Sequence, residues 1–207
     1  MRNEKMIRNL IFDMGRVLME YDPVFYVNRV KPESPEDREL LLRETFHHVQ
    51  WHQMDAGELN ERAMYESVCQ RIPERLHEKA YELIYNWNVP VFPVKGMEDL
   101  LRDCHQAGYH LYLLSNASER QPVYWPRVPG NQYFEGTVVS ALEKTVKPDL
   151  KIFQILLDRY DLKAEECLFI DDLQRNIDGA ARAGIAGYLF DGDAEKLRQF
   201  IRKEGRL

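Results

Sequence analysis

Cysteine is scarce: Cys69, Cys104 and Cys167 are the only 3 in 207 residues, at no spacing that suits a metal site and in an odd number that closes no disulfide framework. The thiols are read as reduced. Long apolar runs are missing too. Nothing approaches the ~20 residues that a membrane-spanning helix needs. The opening MRNEKMIRNLIFD holds only a short apolar run leading into an acid, which suits a first strand better than the hydrophobic region of a signal peptide. Excess positive charge is also lacking. Against 34 Asp and Glu there are 28 Lys and Arg, for a net charge of −6, and the cations are scattered among acids, as in ELLLRETF and HEKAYELIY, in the manner of solvated helix faces. Neither a nucleic-acid nor a membrane partner is expected. The expected compartment is the cytoplasm and the expected partner a bound anion or metabolite. A hydrophobic share of 44% is enough for a full core, in one domain with room for an insertion.

RNLIFD, residues 8–13, is a short apolar run without alternation, as in a parallel strand covered on both faces. From about Asp22 to Trp87 the pattern turns helical in several pieces, with breaks expected near Pro32, Pro35, Gly57 and Pro73. A repeating plan then resumes. MEDLLRDCHQAG reads as a helix with Gly108 at its C-cap, followed by the strand YHLYLLS. KPDLKIFQILLDRYD reads as a helix with an early proline, followed by the strand ECLFIDD, and NIDGAARAGI as a helix leading to the short strand GYLF. This βαβαβ order predicts an α/β fold, an open doubly wound parallel sheet with right-handed crossovers. The helical block is then an insertion just past the carboxyl end of the first strand, where ligands bind in such sheets, so it is expected to cover a site as a cap. The division expected is a core of residues 1–18 and 93–207 and a cap of residues 19–92. Between Asn116 and Ser140 a long connection with the strand GTVVS carries Tyr124, Trp125 and Tyr133, read first as loop packing and second as pocket lining. DAEKLRQFIRKEG reads as a terminal helix without a functional signal.

Three of the predicted strands end in reactive polar groups. The first delivers Asp13, the second Ser115 and Asn116, the fourth Asp171 and Asp172, while Lys147 stands before Pro148 at the start of a helix. Parallel strands bring such ends to one edge. Crowded carboxylates repel, and a hard divalent cation between them makes the arrangement tolerable; oxygen ligands without imidazole or thiolate suit Mg²⁺. The cation would also offset repulsion between a carboxylate nucleophile and an anionic phosphate, with Lys147 adding charge and Ser115 and Asn116 adding hydrogen bonds. Each residue alone has a plainer reading: Asp172 as a helix N-cap, Ser115 as a turn cap, Lys147 as a surface charge. Together at adjacent strand ends they point to phosphoryl transfer through an aspartyl-phosphate.

FDMGRVL, LLSNAS, the lysine of KTVKPDLKIFQ, and LFIDDLQRNIDGAARAGI, in this order and spacing, resemble the four motifs of the haloacid dehalogenase-like hydrolase superfamily over essentially the whole chain. The resemblance implies a Rossmann-like open parallel sheet with helices on both faces and an inserted helical-bundle cap. WHQMDAGELNERAM and YWPRVP are most similar to a bacterial group that includes an alpha-D-glucose-1-phosphate phosphatase. What it implies is Mg²⁺-dependent hydrolysis of a small phosphorylated metabolite, sugar phosphates first, by a monomer or weak homodimer. Asp13 would be nucleophile and metal ligand, Gly15 would offer its carbonyl to the metal, Asp172 would be a direct ligand, and Asp171 would act through a metal-bound water. Asn176 would orient that water or the lysine. Ser115 and the backbone of Asn116 would hold the phosphate, and Lys147 would neutralise it.

One departure stands out. Phosphatases of the family commonly carry a second aspartate two positions after the nucleophile, to protonate the leaving oxygen; here that position is Gly15, a glycine that the similar bacterial group shares while remaining hydrolytic. Such help is worth ~10²–10⁴ in rate. Arg16 is expected as a phosphate contact and not as an acid, because it stays protonated. A metal-bound water, a good leaving group or a cap side chain is expected to substitute. The cap candidates for specificity are Phe25, Tyr26, His47, His48, Trp51, His52 and Met54, with His47 and His52 attractive as acid–base groups. The missing acid also motivates an alternative, a binding protein that kept the metal site and lost turnover. Dehalogenation fits less well, since halide release needs no magnesium site and DMGRVL shows no halide-cradling aromatics.

Overall fold

A computed structural model describes residues 6–204 of the chain; the readings made for the first five residues and for Gly205 lie outside the described residues. The first strand, β1 (Asn9–Phe12), leads into five helices: α1 (Pro23–Arg29), α2 (Pro35–Glu44), α3 (Val49–Asp55), α4 (Glu61–Cys69) and α5 (His77–Tyr85). Then follow α6 (Met97–Gln106), β2 (His110–Ser115), α7 (Gln121–Tyr124), β3 (Phe134–Val139), α8 (Ser140–Glu143) and α9 (Leu150–Arg159). The chain closes with β4 (Cys167–Asp171), α10 (Gln174–Arg182), β5 (Ala186–Leu189) and α11 (Ala194–Glu204). The strands form one parallel sheet in the order β3-β2-β1-β4-β5. It is the expected α/β architecture, a parallel sheet flanked by helices, with a helical region inserted after β1.

Along β1, β2 and β4 both sheet faces are buried, which is why these strands read as nearly unbroken apolar runs. Leu10, Phe12, Leu113 and Ile170 point into one cluster with Leu100 and Leu101 of α6 and Leu197 of α11. Ile11, Leu114 and Phe169 point into the other with Phe153 and Leu156 of α9 and Ala180 of α10. The inserted helices close on a hydrophobic cluster of their own, around Tyr26, Leu41, Trp51, Met64 and Leu83. In α6 the buried Met97, Leu100, Leu101 and Cys104 recur at helical spacing, and the chain leaves the helix through Gly108 at φ +85°, a conformation cheap only for glycine.

Several boundaries differ from the sequence reading, three of them near the site or the insertion. Pro35 opens α2 instead of breaking a helix, because the Ser34 hydroxyl accepts from the Asp37 N–H and proline at the first helical position gives up no bond. The strand read as GTVVS is shifted to Phe134–Val139, and Ser140 turns out of the sheet into α8. The helix read from Lys147 begins at Leu150, capped by Asp149. Lys147 stays outside because its N–H donates to Asn116 Oδ1 at 2.8 Å and the following proline disfavours helical backbone. Among the described residues no helix is long and apolar enough to cross a membrane.

Candidate active site

Asp13, Ser115 and Asp171 stand at the carboxyl ends of β1, β2 and β4, which are neighbours in the sheet, so residues far apart in sequence meet at one edge. Lys147 reaches them from the connection between α8 and α9. Its ammonium lies 2.7 Å from Asp13 Oδ1 and 2.8 Å from Asp171 Oδ2, and donates to the Leu114 carbonyl at 2.9 Å. All three of its donors are taken, and the side chain is 1% exposed. Burial alone would lower the Lys147 pKa, but the two carboxylates outweigh it and hold the ammonium charged. Burial pushes Asp13 up to about 7, with the Asp171 charge adding to the rise and Lys147 opposing it.

Asp171 is fully withdrawn from solvent. Besides Lys147 it accepts from Asn176 Nδ2 at 3.0 Å on each oxygen and from the Leu173 N–H at 2.9 Å. Asp172 is more open and is no helix cap, since Leu173 holds that position without a side-chain bond. It lies 3.8 Å from Arg16. Its pKa is raised by burial and by Asp171, against the pull of Arg16. One oxygen each of Asp13, Asp171 and Asp172 falls within 4.8 Å of the others. Two further observations fit this set to a hydrated hard cation. Three carboxylates share the edge with a single fully engaged ammonium, and the buried Oδ1 of Asn176, beside the cluster, has no hydrogen-bond donor among the described residues. A cation-bound water would satisfy it, so Mg²⁺ suits the site.

A cavity of about 510 Å³ opens over this edge, between the sheet and the inserted helices. The sequence-predicted Asp13, Gly15, Arg16, Ser115, Asn116, Lys147, Asp172 and Asn176 all line it. Asp171 lies beneath, reached through Lys147. The Asn116 side chain is committed to the backbone of Lys147 on both sides, accepting from its N–H and donating to its carbonyl at 3.1 Å. From the insertion His47, Trp51, His52 and Met54 line the cavity. The two histidines are exposed at its rim, while Trp51 is buried and packs on Phe46 with ring centres 4.4 Å apart. Phe25, Tyr26 and His48 do not line it: Phe25 packs on Phe92, the Tyr26 hydroxyl donates to the Glu20 carbonyl, and His48 caps α3. Of the three loop aromatics, Tyr124 lines the cavity, whereas Trp125 and Tyr133 pack on Phe134 and His105.

Asp55 is the residue that sequence reasoning missed. It ends α3, lines the cavity with Asp13, and its carboxyl has no hydrogen bond or ion pair among the described residues. Burial raises its pKa to about 7, with Asp13 and Glu61 adding and Lys147 opposing. The signal available was an acid two places before a glycine that cannot carry a side chain: a Cβ on Gly57, which has φ +67°, would stand 2.2 Å from the Ala141 carbonyl. That contact presses the loop onto the core.

The chain is 27% identical over 204 residues to the sesquiterpene phosphatase astK of Aspergillus oryzae, covering 92% of this chain and 95% of that one. Its fold matches a HAD-like family hydrolase from Porphyromonas gingivalis with a TM-score of 0.73 at 23% identity, over 98% of this chain and 100% of the other. It also matches a HAD family enzyme of Bacteroides thetaiotaomicron, solved with magnesium and inorganic phosphate, with a TM-score of 0.70 at 23% identity, over 92% and 98% of the two chains. The family profile described as haloacid dehalogenase-like hydrolase matches residues 7–184. With the α/β sheet and the carboxylate edge in place, the chain belongs to the haloacid dehalogenase-like hydrolases.

Proposed function

We propose that the protein hydrolyses small phosphomonoesters, with Asp13 as the nucleophile. The observation that carries this reading is Lys147, an ammonium buried between Asp13 and Asp171 at the floor of the cavity. The pair orients one Asp13 oxygen and leaves the other for attack on phosphorus. Ser115 offers a hydroxyl beside it, and Lys147 neutralises the gathering negative charge. Attack breaks the ester P–O bond and leaves an aspartyl-phosphate that water cleaves. Asp13, Asp172 and the carbonyl of Gly15 are the residues that would hold Mg²⁺, with Asp171 and Asn176 behind them. When bound, the cation supplies charge against the phosphoryl oxygens and lowers the repulsion among the carboxylates.

The alcohol half of the substrate faces the inserted helices, taken here as residues 19–92. Tyr21, Phe46, Trp51 and Trp87, joined by Tyr124 of α7, give that side an aromatic wall, which favours an apolar alcohol. The similarity to a sesquiterpene phosphatase supports the same substrate class. The sugar-phosphate reading, and with it the likeness to the glucose-1-phosphate phosphatase group, is the second choice. It is favoured by His47, His52 and Arg16, which are polar and exposed at the rim.

The test is phosphate release from a panel that includes farnesyl monophosphate and glucose 1-phosphate, with Mg²⁺ and with chelator. Mg²⁺-dependent release lost in Asp13→Asn is expected, with a larger kcat/KM on the prenyl ester. No release from any ester, or full activity in Asp13→Asn, overturns the assignment. A larger kcat/KM on glucose 1-phosphate selects the sugar reading.

A further inference from the structure

An alkyl phosphate leaves as an alkoxide, which needs a proton, and few groups around this cavity are able to give one. Gly15 has no side chain. Arg16 remains protonated at neutral pH. Lys147 has all its donors engaged. His47 and His52 stand at the rim, and burial drives the phenols of Tyr21 and Tyr124 far above their ordinary acidity.

We infer that Asp55, carried by the inserted helices, is the general acid and base of the reaction; the inference rests on the phosphomonoesterase reading. Its place is fixed by backbone contacts with the core. The Ser140 hydroxyl donates to the Asp55 carbonyl at 2.5 Å, and the Lys144 ammonium donates to the Gly57 carbonyl at 2.6 Å. Gly57 itself lies too close to Ala141 for any side chain. The end of α3 that bears Asp55 is therefore seated on the core while its side chain has no partner among the described residues. Around that carboxyl stand Asp13 and Lys147 from the sheet edge, Glu61 from α4, and the rings of Tyr21 and Tyr124. Lys147 is already paired twice, so Asp55 has no cation of its own among the described residues and keeps a proton to give. Its counterpart across the cavity is the nucleophile.

In the first step an Asp13 oxygen bonds to phosphorus, the ester P–O bond breaks, and the Asp55 proton passes to the departing oxygen to form the alcohol. In the second, the Asp55 carboxylate takes a proton from the attacking water, whose oxygen bonds to phosphorus as the Asp13–phosphorus bond breaks. Inorganic phosphate leaves, Asp13 is restored as carboxylate, and Asp55 is protonated again. One water is consumed for each ester cleaved.

The test compares wild type with Asp55→Asn on two esters, in Mg²⁺. n-Octyl phosphate needs a proton on its leaving group; p-nitrophenyl phosphate does not. On octyl phosphate kcat is expected to fall about 10²–10⁴-fold. On p-nitrophenyl phosphate a rapid burst of one nitrophenolate per active site is expected, followed by slow turnover as the aspartyl-phosphate waits for its base. Wild-type kcat on octyl phosphate, a change in KM alone, or equal losses on both esters without a burst each overturns the inference. Asp55→Asn leaves in place the backbone carbonyl that Ser140 holds; should that variant fail to fold, Asp55→Ser is taken through the same assays. If wild type releases phosphate from neither ester, the phosphomonoesterase reading itself fails and this inference with it. Wild-type turnover with an unaffected Asp55→Asn removes only the role of Asp55.

Discussion

Lys147 on the sheet side of the cavity and Asp55 on the helical side are both ionisable groups drawn away from bulk water, yet among the described residues the ammonium has every donor engaged and the Asp55 carboxyl has no hydrogen bond or ion pair. On the sheet side Asn116 grips the Lys147 backbone, Asn176 grips Asp171, and Lys147 joins Asp171 to Asp13. Such a network holds one geometry, which suits a group transferred in every turnover. On the helical side Asp55, His47 and His52 lack ionic partners among the described residues, and Tyr21, Phe46, Trp51 and Trp87 with Met54 and Ile84 make the rest of the wall apolar. That side is free to answer to a particular alcohol and to move protons.

The comparison is broken most completely from the sheet side. Asp13→Asn is expected to lower the rate of phosphate release by at least ~10⁴-fold, since the nucleophile has no substitute at the edge. Lys147→Met comes next, at about 10²–10³-fold in kcat. It also leaves Asp13 and Asp171 buried beside each other without their cation, which costs about 3–5 kcal/mol of stability in chelator. Added Mg²⁺ is expected to restore part of that stability, read from urea unfolding curves with and without the ion. If Mg²⁺ does not change the stability of Lys147→Met, the carboxylate edge is not its site.

On the helical side the effects are smaller and of another kind. Gly57→Ala puts a methyl into the Ala141 carbonyl and strains a left-handed backbone, so the loop bearing Asp55 must lift. An ångström of displacement is worth about 10²-fold. A fall of that order in kcat/KM is expected, while Asp13 should still be phosphorylated by p-nitrophenyl phosphate. Loss of that phosphorylation as well would mean that the two walls are not separable.

The two walls also differ in how far they were legible in the sequence. Asp13, Ser115 and Asp171 could be read because each ends an apolar run whose strand character is local, and parallel topology alone brings such ends together. Lys147 could be placed near them but not its three bonds, which depend on the turn that Asn116 and Pro148 impose. Asp55 was invisible for a physical reason. An acid near a helix end beside a glycine has the composition of an ordinary turn, and only the long-range seating of Gly57 against Ala141 turns it into the cavity. The histidines nearby drew attention because imidazole titrates near neutral pH, yet the fold leaves them at the rim. Of the aromatic candidates Trp51 lines the cavity while Tyr26 and Phe25 pack elsewhere in the insertion, since packing and cavity lining use the same residue types.

The mildest test is also specific to the helical wall. Asp55 ordinarily ionises near 3.8 and in the folded chain near 7, because burial and the facing Asp13 and Glu61 disfavour its charge. Between those values the folded protein holds a proton that the unfolded chain has lost. The stability linked to that proton is fully present below about pH 4 and is lost as pH rises through 7. Asp13 shows the same direction and is common to both proteins compared. In chelator, the stability of wild type relative to Asp55→Asn is therefore expected to decline steadily from pH 4 to pH 7, and to level off above it. Urea unfolding at several pH values reads this difference directly. Were Asp55 instead paired with Lys147 in solution, its pKa would lie below 3.8, and wild type would gain on the variant as pH rose through that value. The sign of one slope thus decides whether Asp55 is an unpaired acid ready to give a proton or a third carboxylate held by the lysine.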